Sequence, residues 1–297
     1  MKISDVLSQK KIILSCEVFP PKTDADLKSV LSTVGKIADL SPDFISVTYG
    51  AGGGTSKSTV KIASHINELG ANALAHLTCV SSTKQEVLIA LEEMRRSGIE
   101  NVLALRGDIP SGANFPSPGH YRYAGELVAQ IKAFGGFCIG AACYPEGHVE
   151  SESIEEDLLH LKEKVESGCD FLTTQLFFDN NALYSFLYRA LAKNIHVPII
   201  AGIMPVTSGK QIRRMCALSG ATLPTRFRAI IDKFSDNPPA MKQAGIAYAT
   251  EQIIDLIANG VRAIHLYTMN KPDIAASIIG NLSEIIGKSA LKRTNEN

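Results

Sequence analysis

Residues 101–108 read Asn-Val-Leu-Ala-Leu-Arg-Gly-Asp. The run Asn101–Leu105 has the length of a buried strand, and it ends in a cation, a glycine and an anion. The same design recurs along the chain. Runs at Ile12–Val18, Phe44–Thr48, Asn72–Thr78, Phe137–Ala142, Phe171–Gln175, Val197–Ala201 and Arg262–Leu266 carry or lead into Glu17, Thr48 and Tyr49, His76, Tyr144, Gln175, Gly202 and Tyr267. Near-continuous apolar runs suit a parallel sheet covered on both faces. Eight of them, with polar groups at their C-terminal ends, predict an α/β fold, a (β/α)8 TIM barrel with its chemistry on that rim.

The spacing agrees. Strand starts at 12, 44, 72, 101, 137, 171 and 197 are 26 to 36 residues apart, the size of a strand–helix unit. Between them lie helical stripes, such as Leu27, Val30, Leu31, Val34 and Ile37. Thr83-Lys-Gln-Glu86 reads as a capping box, and Ser153-Ile-Glu-Glu156 as another. The gap from 197 to 262 is 65 residues, so extra helices are expected between strands 7 and 8. Phe227, Ile230, Ile231 and Phe234 mark one; Asn237-Pro238-Pro239 starts another, which stops at Asn259-Gly260. The 297 residues read as one barrel domain, 1–297.

Hydrophobic residues make up 45% and charged ones 20%, with 30 basic against 30 acidic. A neutral chain without a basic run gives no electrostatic reason to bind nucleic acid or an anionic membrane. The six cysteines form no C-x-x-C pair and read as small buried hydrophobes in a reducing compartment. No apolar leader or membrane-length run is present, so the expectation is a soluble, cytoplasmic protein without a metal site.

The glycines of Tyr49-Gly-Ala-Gly-Gly-Gly54 do not form a dinucleotide fingerprint, because Thr55 takes the third glycine position. Gly202 to Lys210 is no Walker motif, since Gln211 stands where a magnesium-binding hydroxyl belongs. Glu17 carries more weight. A carboxyl near a strand end with apolar neighbours is a candidate general acid, its pKa raised by desolvation; the plainer reading is an ion pair with a barrel lysine or arginine. Arg106-Gly107-Asp108 is equally a ligand cradle or a turn with an exposed salt bridge. Asp157, His160 and Lys164 share a helix face that could hold a ribose and a phosphate, or simply be solvated. Gln175, beside aromatic residues, suits a flat heterocycle.

Eight stretches together resemble the methylenetetrahydrofolate reductase family: SCEVFPPK (15–22), ISVTYGAGGG (45–54), AHLTC (75–79), LALRGDIP (103–110), AACYPEGH (141–148), TQLFFD (174–179), GIMPV (202–206) and LYTMNK (266–271). They run in order through nearly the whole chain. The resemblance is to the short bacterial form. It implies FAD at the barrel rim, held by Thr48, Tyr49, Ala51, His76, Arg106, Gly107, Asp108, Tyr123, Ala124, Tyr144, His148, Asp157, His160 and Lys164. Glu17 matches the family's general acid, and Asp108 the carboxylate between flavin and pterin. Gln175, Gln211, Met215, Tyr267 and Lys271 would meet the folate. Lys271 stands where bacterial members commonly carry arginine, and Glu163 where an arginine often helps hold the phosphates.

The implied activity is reduction of 5,10-methylenetetrahydrofolate to 5-methyltetrahydrofolate with NADH or NADPH, in ping-pong order, feeding methionine synthesis. A homo-oligomer and, in some relatives, an electron-transfer partner protein also follow from the resemblance. Three other readings compete. A metal-dependent hydrolase would use His76, His265, Glu17 and Asp108 as ligands, but strand one lacks a His-x-His pair. A Schiff-base aldolase lacks a lysine at an inner strand end. A non-catalytic flavin or folate binder would not be bleached by a reductant.

Overall fold

The computed structural model describes residues 1–21, 26–49, 56–109, 115, 117 and 119–287. Its strands are β1 (Ile13–Val18), β2 (Ile45–Val47), β3 (Ala73–Thr78) and β4 (Asn101–Leu105). The second half adds β5 (Cys138–Cys143), β6 (Phe171–Thr174), β7 (Ile199–Ile203) and β8 (Ala263–Tyr267). Each strand pairs in parallel with the next and β1 pairs with β8, so the sheet closes. The expected (β/α)8 barrel is borne out.

Helices α2 (Leu27–Ala38), α3 (Ser56–Glu68), α4 (Lys84–Arg96), α5 (Ala124–Phe134), α6 (Ile154–Glu166) and α7 (Asn180–Ala192) follow the first six strands in turn. Three helices fill the long gap: α8 (Gly209–Ser219), α9 (Thr225–Phe234) and α10 (Pro238–Ala258). The last two were expected; α8 was not. Ser208 caps it, accepting from the Gln211 N–H at 3.5 Å, but its polar start hides the helix from a hydrophobicity reading. Helix α11 (Pro272–Asn281) follows β8.

Strand parity explains the continuous apolar runs. Leu14, Cys16 and Val18 face the helix layer with Ile45, Val47, Ala75 and Leu77, while the alternate residues point into the barrel. At the lower end these are Ile13, Phe44, Leu74, Leu103, Cys138, Phe171, Ile200 and Ala263. A helix absent from the sequence reading, α1 (Ile3–Gln9), closes that end with Ile3, Val6 and Leu7. Its i, i+3, i+4 apolar triplet was the available signal. Gly140 belongs to this floor, since a Cβ there would overlap the Phe171 ring.

Local chemistry sets the ends. Thr83 and Glu86 form the reciprocal box at α4. At α6, Ser153 accepts from the Glu156 N–H at 3.1 Å, but the Glu156 carboxylate accepts from Glu152 N–H rather than from Ser153. Strand β7 begins two residues later than expected because Pro198 has no N–H to donate, although its carbonyl still accepts from Leu172 N–H at 2.8 Å.

Candidate active site

The inward residues above the floor change from apolar to polar. β1 contributes Ser15 and Glu17, β2 Ser46, β3 His76 and β8 His265. Ser15 and Ser46 are fully buried, and His76 and His265 nearly so. The Glu17 carboxyl oxygen Oε2 lies 3.7 Å from His76 Nε2 and 3.8 Å from His265 Nε2, with the side chain 17% exposed. Among the described residues no lysine or arginine pairs with it. The ion pair weighed as the plainer reading is therefore replaced by two imidazoles. Burial pushes His76 down to about 4, so it is neutral at pH 7. Its Nε2 has no hydrogen-bond partner among the described residues.

Tyr267 closes one side of the mouth. Its hydroxyl donates to the Thr174 carbonyl at 2.6 Å, reaching from β8 across β7 to β6. Gly202 makes this path possible: a Cβ there would sit 2.5 Å from the Thr174 carbonyl oxygen and 2.6 Å from the phenol oxygen. Gln175 lies at the end of β6, where its side-chain oxygen accepts from Leu176 N–H at 2.9 Å.

On the opposite rim, Arg106 does not pair with Asp108. Its guanidinium grips Glu150 through both Nη atoms, at 2.5 and 2.7 Å. Gly107 adopts φ +86°, where a side chain would be strained and its Cβ would press on Val80 at 3.0 Å. Asp108 is exposed. Glu150 was missed in the sequence, where nothing periodic links it to a residue 44 positions earlier. Beside this pair, Tyr144 meets the edge of His148 at 4.6 Å, and burial lifts its phenol to about 12.

The α6 face divides. Asp157 is buried, which pushes its carboxyl up, and Ser151 hydroxyl donates to it at 3.4 Å. Lys164 donates to the Ala142 carbonyl of β5 at 2.7 Å. His160 and Glu163 stay exposed. Tyr123 stands at the N-cap position of α5 without a side-chain cap bond and about half exposed, and Ala124 begins that helix. Thr48 and Tyr49 are half-buried beyond β2; Ala51 lies outside the described residues. A shallow depression between the β7–α8 and β8–α11 loops is lined by Gln211, Met215, Met269 and Lys271. Lys271 Nζ donates there to Thr207 Oγ1 at 3.0 Å.

The described residues contain no cluster of three or more His, Cys, Asp or Glu that could hold a metal ion, so the hydrolase reading lacks a ligand set among them. No described helix is long and apolar enough to cross a membrane. Five of the six cysteines are buried, and burial pushes the Cys79 thiol up to about 12.

The model of one protein family, methylenetetrahydrofolate reductase, matches residues 2–283. The chain belongs to that family. It is 34% identical to the 5,10-methylenetetrahydrofolate reductases of Pectobacterium carotovorum and Escherichia coli, covering 92% of this chain and 91% and 92% of theirs. It is 35% identical to methylenetetrahydrofolate reductase (NADH) 1 of Arabidopsis thaliana, over 99% of this chain but only 52% of that protein. The chain thus spans about half the length of its plant relative. Among solved structures, an uncharacterised Clostridium thermocellum protein that binds two copies of 5-methyl-5,6,7,8-tetrahydrofolic acid shares the fold, with TM-score 0.66 and 17% identity. It covers 97% of this chain and 100% of that one.

Twelve of the residues that the reductase family resemblance singled out fall in three groups at the C-terminal end of the barrel. Glu17, His76 and Tyr267 line its depth; Arg106, Gly107, Tyr144, His148, Asp157 and Lys164 form the β4–β6 side; Gln211, Met215 and Lys271 line the outlying depression. Outside all three stand His160 and Asp108, both exposed, with Thr48, Tyr49, Tyr123, Ala124 and Gln175.

Proposed function

We propose that this chain reduces 5,10-methylenetetrahydrofolate to 5-methyltetrahydrofolate, with FAD bound at the barrel mouth and NADH as the electron donor. The observation that carries this reading is Glu17: a largely buried carboxyl at the mouth, flanked among the described residues by two imidazoles and by no lysine or arginine. Family membership and the NADH-named plant relative support the substrate and the donor.

The residues present fit a flavin. His76 offers a buried nitrogen without a hydrogen-bond partner among the described residues, Gly107 opens the backbone at the β4 end, and Arg106 supplies a guanidinium for an anionic group. Tyr144, His148, Asp157 and Lys164 would border the ribityl and adenosine portions. When bound, FAD supplies the electron pair that converts the folate's one-carbon unit to a methyl group.

The protein's part is proton transfer and placement. Glu17 protonates the bridging nitrogen that departs, and the methylene bridge opens to an electrophilic iminium. Gln175 and Tyr267 would orient the pterin, Asp108 would stand between pterin and flavin, and Gln211, Met215 and Lys271 would hold the remainder of the folate. A single mouth serves both reactants, so donor and folate take turns in ping-pong order. We place the protein in the cytoplasm, feeding methyl groups to methionine synthesis.

The test is an anaerobic titration of the purified protein with NADH, followed by methylenetetrahydrofolate. Bleaching of the flavin absorbance and its return on adding folate are expected. A colourless protein that refuses added FAD would overturn the proposal.

A further inference from the structure

The pairing of β1 with β8 stops at Glu17 opposite Tyr267, yet the two segments stay joined beyond it. Side chains continue the ladder. The Thr268 hydroxyl donates to the Glu17 carbonyl at 2.5 Å. Asn270 then meets Phe19 as a neighbouring strand would. Its side-chain oxygen accepts from Phe19 N–H at 3.0 Å, and its side-chain N–H donates to the Phe19 carbonyl at 2.9 Å. A carboxamide carries the donor and acceptor of a peptide group, so it can stand in for one.

That replacement lets the main chain after β8 turn away from the sheet. Met269 and Asn270 lie in succession at φ +53° and +54°, a left-handed conformation that asparagine tolerates and methionine resists. Strain of this kind persists only where the surroundings impose it. Lys271 N–H donates to the Thr268 carbonyl at 3.0 Å, which closes a tight turn. Pro272 opens α11 and restricts the backbone of the residue before it. Between the sheet on one side and the proline on the other, the Asn270 carboxamide joins the crest of the turn to the first strand.

The turn presents Met269 and Lys271 to the depression beside β7. Lys271 Nζ donates to the Thr207 hydroxyl, and among the described residues no carboxylate pairs with it. Asp273, two positions on, is taken by Lys242 at 2.5 Å. An ammonium without an anion, beside Met204, Met215 and Met269, suits a ligand with an apolar body and a carboxylate end.

We infer that Asn270 is a positioning residue for the folate: its paired hydrogen bonds to the Phe19 peptide hold the 269–271 turn where Lys271 meets the substrate's glutamate carboxylate, and so set selectivity for that end of the molecule. This rests on the reading of the chain as a methylenetetrahydrofolate reductase. In this role Asn270 touches neither substrate nor flavin and acts through Lys271. A plain staple between two loops would instead support the rim and weaken every substrate alike.

The experiment measures kcat and KM with 5,10-methylenetetrahydrofolate and with 5,10-methylenetetrahydropteroate, which keeps the pterin and the methylene bridge but lacks the glutamate. The proteins are the wild type, Asn270→Gly, Lys271→Ala and the double variant. Glycine keeps the left-handed backbone accessible and removes only the carboxamide. In Asn270→Gly the KM for the folate should rise about fivefold, the size expected of a partly exposed ammonium–carboxylate pair, with kcat held. The KM for the pteroate should stay within about twofold of wild type. Lys271→Ala should show the same selective loss, and the double variant should be no worse than the poorer single one, because both changes remove one contact. Equal losses with the two substrates, or losses that multiply in the double variant, overturn the inference. If Asn270→Gly does not fold, Asn270→Asp decides by the same criterion, since it keeps the bond from Phe19 N–H and sets a carboxylate oxygen against the Phe19 carbonyl. A wild-type protein that turns over neither substrate defeats the reductase reading itself, whereas turnover of both with unchanged selectivity in the variants defeats only the role of Asn270.

Discussion

Glu150→Gln should tighten FAD binding while slightly loosening the apoprotein. Glu150 occupies the guanidinium of Arg106 through two bonds, at 2.5 and 2.7 Å, the geometry an anionic ligand would want. Arg106 is 18% exposed at its side chain, but Glu150 is 52% exposed. A fully desolvated charged hydrogen bond contributes about 1.5–3 kcal/mol, and the solvent at Glu150 reduces the pair to about 1 kcal/mol. A flavin that needs Arg106 must overcome that competition. Removing the charge therefore predicts about fivefold tighter binding, since 1.4 kcal/mol corresponds to about tenfold. Titration of apoprotein with FAD, followed by flavin fluorescence, measures it. The sign with pH is also fixed. Arg106 holds the Glu150 carboxyl below the usual glutamate range, so the pair contributes fully above the unfolded value of about 4.3 and is lost as pH falls through its lowered value. The advantage of the variant should hold from pH 6 to 8 (about the working range of the assay) and shrink in strong salt. Equal or weaker FAD binding by the variant would refute the competition argument.

Glu17→Gln should abolish reoxidation by methylenetetrahydrofolate while NADH still bleaches the flavin, a split read by stopped-flow absorbance of the two half-reactions. Gly202→Ala should destabilise by about 2–4 kcal/mol, because its Cβ drives Tyr267 off the Thr174 carbonyl and overpacks β6–β7. A denaturant melt with an unchanged midpoint would contradict that path for the phenol. Leu7→Ala should cost about 2–5 kcal/mol by opening a cavity in the floor, where Leu7 is nearly fully buried. A melt within 0.5 kcal/mol of wild type (about the range of neutral surface changes) would show that α1 does not seal the barrel.

The barrel was legible because a parallel sheet buried on both faces leaves long apolar runs, and because closing it gathers the strand ends. What separated the two faces was not visible: Ser15 and Leu14 are neighbours in sequence but belong to the interior and the helix layer. The α6 face was read one residue too broadly. At about 100° per residue, Lys164 returns to within about 20° of Asp157, whereas His160 falls about 60° away, and that difference turns it to solvent. Glu17 and Tyr267 stood out as polar groups ending apolar runs. Glu150 did not, since its partnership with Arg106 exists only once the β4 and β5 loops meet. Pro198 delayed β7 through a missing donor, a covalent fact that the apolar count passed over.

The seam between β1 and β8 has a consequence for biosynthesis. Ser15 meets a partner 250 residues downstream, so one edge of the first strand stays unclaimed until those residues have left the ribosome. At roughly 5–20 residues per second, that wait lasts on the order of tens of seconds. During it, Ile13–Val18 offers an open ladder to any neighbouring nascent chain, which makes the first strand the segment most in need of a chaperone's shelter.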